Sequence, residues 1–552
     1  MRLRTLAACL LALTSAALFT SCARNTEPPR LVVLLVVDQM RADYIDRFEQ
    51  DWTGGLKRLV TKGARFPRAA YPYLSTVTCV GHATIGTGAL PFVHGIAQNT
   101  WYDRNEQQVV PCTADPQANP IGYAGRTGSG NDSAAALKIP TLGDEMRREQ
   151  HSRVVSLSLK ARSAIMLAGH SGNAVSWLSE SGEAWQTSSA YTQAPVPQVD
   201  AYVTAHPVET DYAKVWERLL PIERYLHLDA GLGEAPPAGW GSTFPHPLRG
   251  GDTGRPDPAF YQQWEESPFA DAYLGQMAAG LVESMSLGKG NVPDLLAVSF
   301  STPDLVGHAF GPNSQEVQDV YARLDRTIGA LLDRLDALVG ADHYVVALSA
   351  DHGVTEIPEQ LESRGAEGGR FDAARLALTV NTIAADMTGN GAFVARVNYN
   401  DIYFHPQKYA ELLRNPRMLD AVLKSIAEQP GVAQVFRAEE LQDARTDTDP
   451  LKRAAALSYV PGRSGDLVIA LKPGWMSAAT GTTHGSANPD DQHVPVLFYG
   501  AGIKAGTYND AATPADIAPT LASLIGVTLP SATGHVLGSA VGAAPDATAP
   551  QR

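Results

Sequence analysis

Three long apolar runs that each give way to an acid constrain this chain more than any other feature. Leu31 to Val37 is Leu and Val throughout and stops at Asp38. Leu295 to Phe300 leads into Ser301-Thr302-Pro303-Asp304, and Tyr344 to Ser349 leads into Ala350-Asp351-His352-Gly353. Runs without polar alternation fit strands covered on both faces, as in a parallel sheet between helical layers. Val154 to Leu159, ending in Lys160-Ala161-Arg162, and Val494 to Tyr499, after a loop carrying His484, read as two more. Helical patterns lie between and after them. Ser314 to Leu338 has apolar residues near helical spacing with acids in its first turns, and Asp516 to Ile525 opens on an Asp cap. The expected fold class is therefore α/β, a mostly parallel central sheet flanked by helices, with ligands at the carboxyl ends of the strands.

The rest of the chain is organised around that core. Two stretches are expected to be insertions: about 163–292, rich in Gly, Pro and aromatics and expected to roof the site, and about 356–467. The second holds an alternating strand at Ala392 to Phe404 and a helix near Pro406 to Ala427. The Ala-, Gly- and Pro-rich tail, 539–552, is expected to be disordered. At the other end, Arg2 and Arg4 precede an apolar stretch from Leu6 to Phe19, the pattern of a secretory signal and too short to span a bilayer. Phe19-Thr20-Ser21-Cys22 resembles a bacterial lipobox. That implies a signal peptide over 1–21, a lipid on Cys22, a linker over 22–30 and a periplasmic protein anchored at the outer membrane; ordinary cleavage would leave it unanchored. Cys79 and Cys112 lie beyond the signal and could pair in an oxidising compartment, although a core of this size does not need the bridge. The formal charge of −14, with no Lys/Arg run of five, argues against a nucleic-acid-binding face. A monomer or weak oligomer is expected.

The strand ends carry the chemistry. Asp304 and His308, four residues apart, meet on one face of a helical turn, and Asp351 beside His352 at a buried strand terminus must be satisfied by something. Singly, each has an ordinary reading: a surface ion pair, a helix cap, a loop histidine at His484. Together Asp38, Asp304, His308, Asp351, His352 and His484 supply oxygen and nitrogen ligands for two cations, a mix that suits zinc. Two metals close together can clamp the attacking and leaving oxygens of a displacement at phosphorus. The hydroxyl-rich stretch Ser75 to Thr84 could open a helix whose N–H groups face an anion, with Thr78 as the candidate nucleophile.

In order and spacing, Asp38, Thr78, Asn99-Thr100-Trp101, Lys160-Ala161-Arg162, Asp304/His308, Asp351/His352 and His484 resemble the alkaline phosphatase superfamily. Within it they resemble the phosphate-irrepressible, PafA-like type, exported zinc phosphomonoesterases. The resemblance implies an alkaline-phosphatase-like sandwich with inserted cap segments over about 31–538. It implies two Zn²⁺ ions: one held by Asp38, Asp351 and His352 beside Thr78, the other by Asp304, His308 and His484. Asn99, Lys160 and Arg162 match the groups that hold phosphoryl oxygens. The Lys-x-Arg pair is lacking in the diesterases of the superfamily, because a diester carries one charge fewer, so small phosphomonoesters are the expected substrates. An exported phosphodiesterase or nucleotide pyrophosphatase is the alternative. Sulfatases are excluded because Cys79-Val80-Gly81-His82-Ala83 fails their nucleophile motif. Cys79, beside the nucleophile, is a departure from the pattern and a soft potential metal ligand.

Overall fold

The unbroken apolar runs form the middle of a ten-stranded sheet. The computed structural model describes residues 28–251 and 253–542. The expected signal peptide, Cys22, most of the linker and the tail beyond 542 lie outside the described residues. In chain order the sheet comprises β1 (Leu31–Val37), β2 (Ala64–Arg65), β3 (Pro120–Gly122), β4 (Val154–Ser158), β5 (Ala174–Leu178), β6 (Trp185–Ser188), β7 (Asp294–Phe300), β8 (Tyr344–Ser349), β9 (Val496–Gly500) and β10 (Gly506–Thr507). Their spatial order is β10-β2-β9-β8-β1-β7-β4-β5-β6-β3. The consecutive strands β8, β1, β7, β4 and β5 run parallel, and all their residues are buried, which is why their sequences do not alternate. Antiparallel strands flank this core, β9 against β8 and β6 against β5. The sheet is thus mixed, parallel at its centre.

Helices cover both faces of that core. They include α1 (Thr78–Thr87), α2 (Ala161–Ala168), α3 (Pro258–Glu265), α4 (Pro268–Ser284), α5 (Thr302–Phe310) and α6 (Gln315–Leu338). Ser314 caps α6 by accepting from Val317 N at 3.1 Å. Helix α1 has small or apolar residues around its circumference apart from His82 and is buried throughout, as that composition requires.

Both insertion boundaries shift. The segment expected as an insertion from about 163 contains β5 and β6, which belong to the central sheet, and α4, which packs on α6; the stretch between β6 and α3 adds no strand to that sheet but packs Val199, Trp216 and Leu248 into the main apolar core. The second insertion runs beyond 467. Val394–Asn398, Asp401–Phe404, Val432–Arg437 and Leu467–Leu471 form their own four-stranded sheet around a separate apolar cluster. The single strand expected over Ala392 to Phe404 is a hairpin that turns at Tyr399, where φ is 50°. The helix expected near Pro406 to Ala427 is two, Lys408–Leu413 and Pro416–Ala427, because Asn415 precedes a proline and is driven out of the helical region. Of the tail expected to be disordered, Val541 bridges Ile503 and Gly542 N donates to Gly502 O at 2.8 Å.

Candidate active site

Strand register sets the reactive residues side by side. Ser349, Val36, Ser299 and Ser158 lie opposite one another across β8, β1, β7 and β4. The residues that follow, Asp351, Asp38, Asp304 and Lys160, therefore emerge along one stretch of the carboxyl edge. His352 follows Asp351, and α5 carries Asp304 in its first turn and His308 one turn on. The loop through Thr482 and His484 closes over them: His308 Nδ1 lies 2.7 Å from Thr482 O and His484 Nδ1 2.8 Å from Thr76 O. His352 Nδ1 lies 2.9 Å from Gly353 O. A carbonyl can only accept, so each imidazole donates through Nδ1, and the neutral ring then presents Nε2 as a lone pair, the arrangement of a metal-ligating histidine.

Those lone pairs face carboxylates. His352 Nε2 lies 3.4 Å from Asp38 Oδ1 and 3.3 Å from Asp351 Oδ2. His308 Nε2 lies 3.2 Å from Asp304 Oδ1, and His484 Nε2 3.7 Å from the same oxygen. Acceptors meeting acceptors in a buried site call for a cation. Asp38 Oδ1 and Asp351 Oδ2 are moreover buried and accept no hydrogen bond. Two groups of mutually close ligand atoms result: Asp38, Asp351 and His352, and Asp304, His352 and His484. His308 adjoins the second through Asp304, and His352 stands between the two. Carboxylate oxygen and imidazole nitrogen donors in such numbers fit zinc. Burial, and then the charges of Asp304 and Asp351, push the Asp38 carboxyl well above the usual range. Burial acts on Asp304 the same way, but His308 and Lys160 hold it well below that range. Burial, followed by the neighbouring imidazoles, drives His484 well down, which keeps it neutral.

Thr78 opens α1, with Val77 before it in an extended conformation. Its Oγ1 lies 3.4 Å from His352 Nε2, and the residue is 1% exposed. Gly81 permits the approach: a Cβ there would lie 2.1 Å from Asp351 O.

The three expected anion-holding residues converge on the same place. Lys160 Nζ donates to Asp38 Oδ2 at 2.7 Å and to Asp304 Oδ2, so its ammonium bridges the two carboxylates. Arg162, in the first turn of α2, lines a cavity of about 320 Å³ with Asn99 and Lys160. Asn99 Oδ1 accepts from Cys79 N at 2.7 Å, leaving the amide nitrogen as the donor it offers to that cavity. Cys79 is bonded to Cys112 in a disulfide. Its sulfur is therefore not a metal ligand, and a bridge that core size made unnecessary has a local use. Cys112 N donates to Asn99 O at 2.9 Å, so the disulfide ties the start of α1 to the segment that carries Asn99.

Two contributors escaped the sequence reading. His82, one turn after Thr78, lies with Nδ1 2.8 Å from Thr78 O and 3.2 Å from Asp351 Oδ2, and Nε2 2.8 Å from Ser299 Oγ. Its spacing from Thr78 on a helical turn was the available signal. Gln39 donates its backbone N–H to Asp351 Oδ1 at 3.1 Å and Nε2 to Asp304 Oδ1 at 2.7 Å. That depends on a positive φ of 67°, which nothing in the sequence announces.

A model of the type I phosphodiesterase / nucleotide pyrophosphatase family matches residues 32–493, a span that includes every residue of this cluster. The chain belongs to that family, within the alkaline phosphatase superfamily. Among curated family relatives, alkaline phosphatase PafA of Elizabethkingia meningoseptica is 33% identical over 91% of this chain and 92% of its own length. Alkaline phosphatase PhoV of Synechococcus elongatus is 32% identical over 91% of each. The crystal structure of wild-type PafA superposes with a TM-score of 0.86 at 31% identity, covering 94% of this chain and 99% of the other. The family fold and the mixed central sheet are thus shared along nearly the whole chain.

Proposed function

We propose that this chain is an alkaline phosphatase that hydrolyses a broad range of phosphate monoesters to alcohol and inorganic phosphate, with Thr78 as nucleophile at a two-zinc site. The observation that carries this reading is the position of Thr78. It stands at a helix start against His352 of the carboxylate and imidazole cluster, and the next residue holds Asn99, which lines a cavity with Lys160 and Arg162. The alkaline phosphatases PafA and PhoV, similar over nine-tenths of the chain, support it.

Asp38, Asp351 and His352 would hold one zinc with Thr78, and Asp304, His308 and His484 the other. Zinc in these places supplies the Lewis acidity that makes a threonine hydroxyl nucleophilic near neutral pH and offsets charge on the departing oxygen. The chain's own residues do the rest. Thr78 Oγ1 forms the bond to phosphorus as the bond to the leaving oxygen breaks, giving a phosphothreonine that water then cleaves to release phosphate. Asn99, Lys160 and Arg162 orient the remaining phosphoryl oxygens, whose dianionic charge an ammonium, a guanidinium and an amide neutralise. The Arg2- and Arg4-led apolar stretch and Cys22 support a lipid-anchored periplasmic location, and a disulfide in a chain of this size accords with an oxidising compartment.

The test is kcat/KM of the purified, zinc-loaded protein on an aryl phosphomonoester and its methyl diester, beside Thr78→Ala. A large monoester preference that the variant abolishes is expected. A diester preference would instead make the chain a phosphodiesterase with Lys160 and Arg162 as bystanders, and absence of turnover on both would leave a metal-binding protein without this chemistry.

A further inference from the structure

The ligand cluster borders two cavities. One is lined by Lys160 and Arg162, with Asp132, Glu180 and Glu265 also in its wall. The other, about 600 Å³, opens beyond His308 and is lined mainly by small or apolar residues such as Ala235, Leu305 and Ala479. Among the residues lining it are Gln262 and Glu266, at the end of α3, but no lysine or arginine. Glu266 Oε1 accepts from Gln262 Nε2 at 3.0 Å, which holds the half-buried carboxylate at the cavity wall.

The walls are anchored to α5, the helix that carries Asp304 and His308. Ala235 N donates to Ala309 O at 2.7 Å, and Thr482 N donates to His308 O at 3.0 Å. Thr302 Oγ1 donates to Glu265 O at 3.0 Å, fixing the end of α3 to the same helix. The cavity is thus preformed and of a size that admits a small alcohol. A phosphoryl group drawn toward Lys160 and Arg162 leaves its ester oxygen directed toward the His308 side. The substituent then occupies a space whose one carboxylate, Glu266, is unopposed by any lysine or arginine in the wall.

We propose that this cavity receives the leaving group and that Glu266 makes it favour cationic amino-alcohol leaving groups over anionic ones. The proposal rests on the monoesterase reading above and names the substrate class within it: esters bearing phosphate at one end and a fixed positive charge at the other. A unit charge about 7 Å from a carboxylate, at an effective dielectric constant near 40, changes kcat/KM roughly five- to tenfold, upward for a cation and downward for an anion.

Three monoesters of similar size separate the possibilities: phosphocholine, glycol phosphate and phosphoglycolate, assayed with the zinc-loaded protein at pH 9 and low salt. The readout is the phosphocholine-to-phosphoglycolate ratio of kcat/KM, in which any general loss of rate cancels. The ratio is expected to fall at least tenfold in Glu266→Gln and by a comparable factor in Gln262→Lys, whose ammonium would offset the retained carboxylate. A ratio that both variants leave within twofold of the wild-type value overturns the proposal. If instead the wild type fails to hydrolyse glycol phosphate while turning over diesters, the monoesterase reading itself fails and the proposal falls with it.

Discussion

Gly81→Ala tests whether the contact between α1 and the end of β8 sets the geometry of the nucleophile. The added Cβ would lie 2.1 Å from Asp351 O and 2.6 Å from both the carbonyl carbon and Cα of Asp351. All three are backbone atoms of a residue that is itself a proposed metal ligand, so no side chain can swing away. Restoring an ordinary contact requires α1 to withdraw by about 1 Å, and a displacement of that size at a reacting centre costs about 10²-fold in rate, near 3 kcal/mol of transition-state stabilisation. The effect on stability is smaller. Overpacking a core costs about 1–3 kcal/mol, and Ala regains up to about 1 kcal/mol over Gly inside a helix. The expected signature is a roughly hundredfold loss of kcat/KM on an aryl monoester with Tm lowered by only a few degrees. A variant with kcat/KM within threefold of wild type would show that α1 tolerates displacement and that Gly81 is not what places Thr78.

Three further outcomes follow from the same geometry. Arg162→Ala should lower kcat/KM about 10²-fold on a monoester and only a few-fold on its methyl diester, because the missing guanidinium faced the charge that the diester lacks; equal losses would detach Arg162 from the monoester preference. Cys112→Ser opens a bridge spanning 33 residues. It should cost about 2–4 kcal/mol in stability and, by loosening Asn99 against Cys79 N, depress monoester turnover as well, whereas unchanged turnover in the folded variant would make the disulfide purely a staple. Glu316 is buried, pushed up to about 8 by that burial, and lies 2.9 Å from His246 Nε2. A carboxyl whose folded value exceeds its unfolded 4.5 binds more protons when folded, so it contributes stability that is lost between about pH 4.5 and 8. Above pH 6.5 His246, pushed down to about 4 chiefly by burial, is neutral in both states and adds no slope. Glu316→Gln should therefore be the more stable protein at pH 9, by about 2 kcal/mol, and parallel plots of Tm against pH for the two proteins would contradict this.

The legible parts of this molecule are those whose physics is local. Strands β1, β7 and β8 announced themselves because a strand buried on both faces has no polar alternation, and the acid after each run marked where the sheet ends. In the sequence Lys160 and Arg162 simply follow the run of β4, and only their match to the phosphoryl-holding groups of the superfamily singles them out. It took the register of β4 against β7 and β1 to bring Lys160 between Asp38 and Asp304. The two-residue strand β2 and the antiparallel direction of β9 carried no comparable signal, since both are fixed by pairing partners far away in the sequence. The disulfide was undecidable for a related reason: the Cα–Cα distance of 6.7 Å between Cys79 and Cys112 is a property of the assembled fold. Gln39 was illegible because its contacts follow from one positive φ at a strand end.

The two basic residues beside Thr78 differ in what their charges already serve. The Lys160 ammonium lies against two carboxylates, so much of its positive potential is offset before any substrate arrives. Arg162 Nε, by contrast, is buried without a hydrogen-bond partner in the wall of the same cavity. A buried guanidinium N–H lacking an acceptor carries a desolvation cost that a phosphoryl oxygen relieves. Charge selection on that side of the site is therefore expected to rest more on Arg162 than on Lys160, whose ammonium is already engaged in bridging Asp38 and Asp304. On the opposite side the role proposed for Glu266 has the reverse sign. On that proposal the site reads both ends of a small ester by charge, while the bond between them lies against groups that follow four parallel strands.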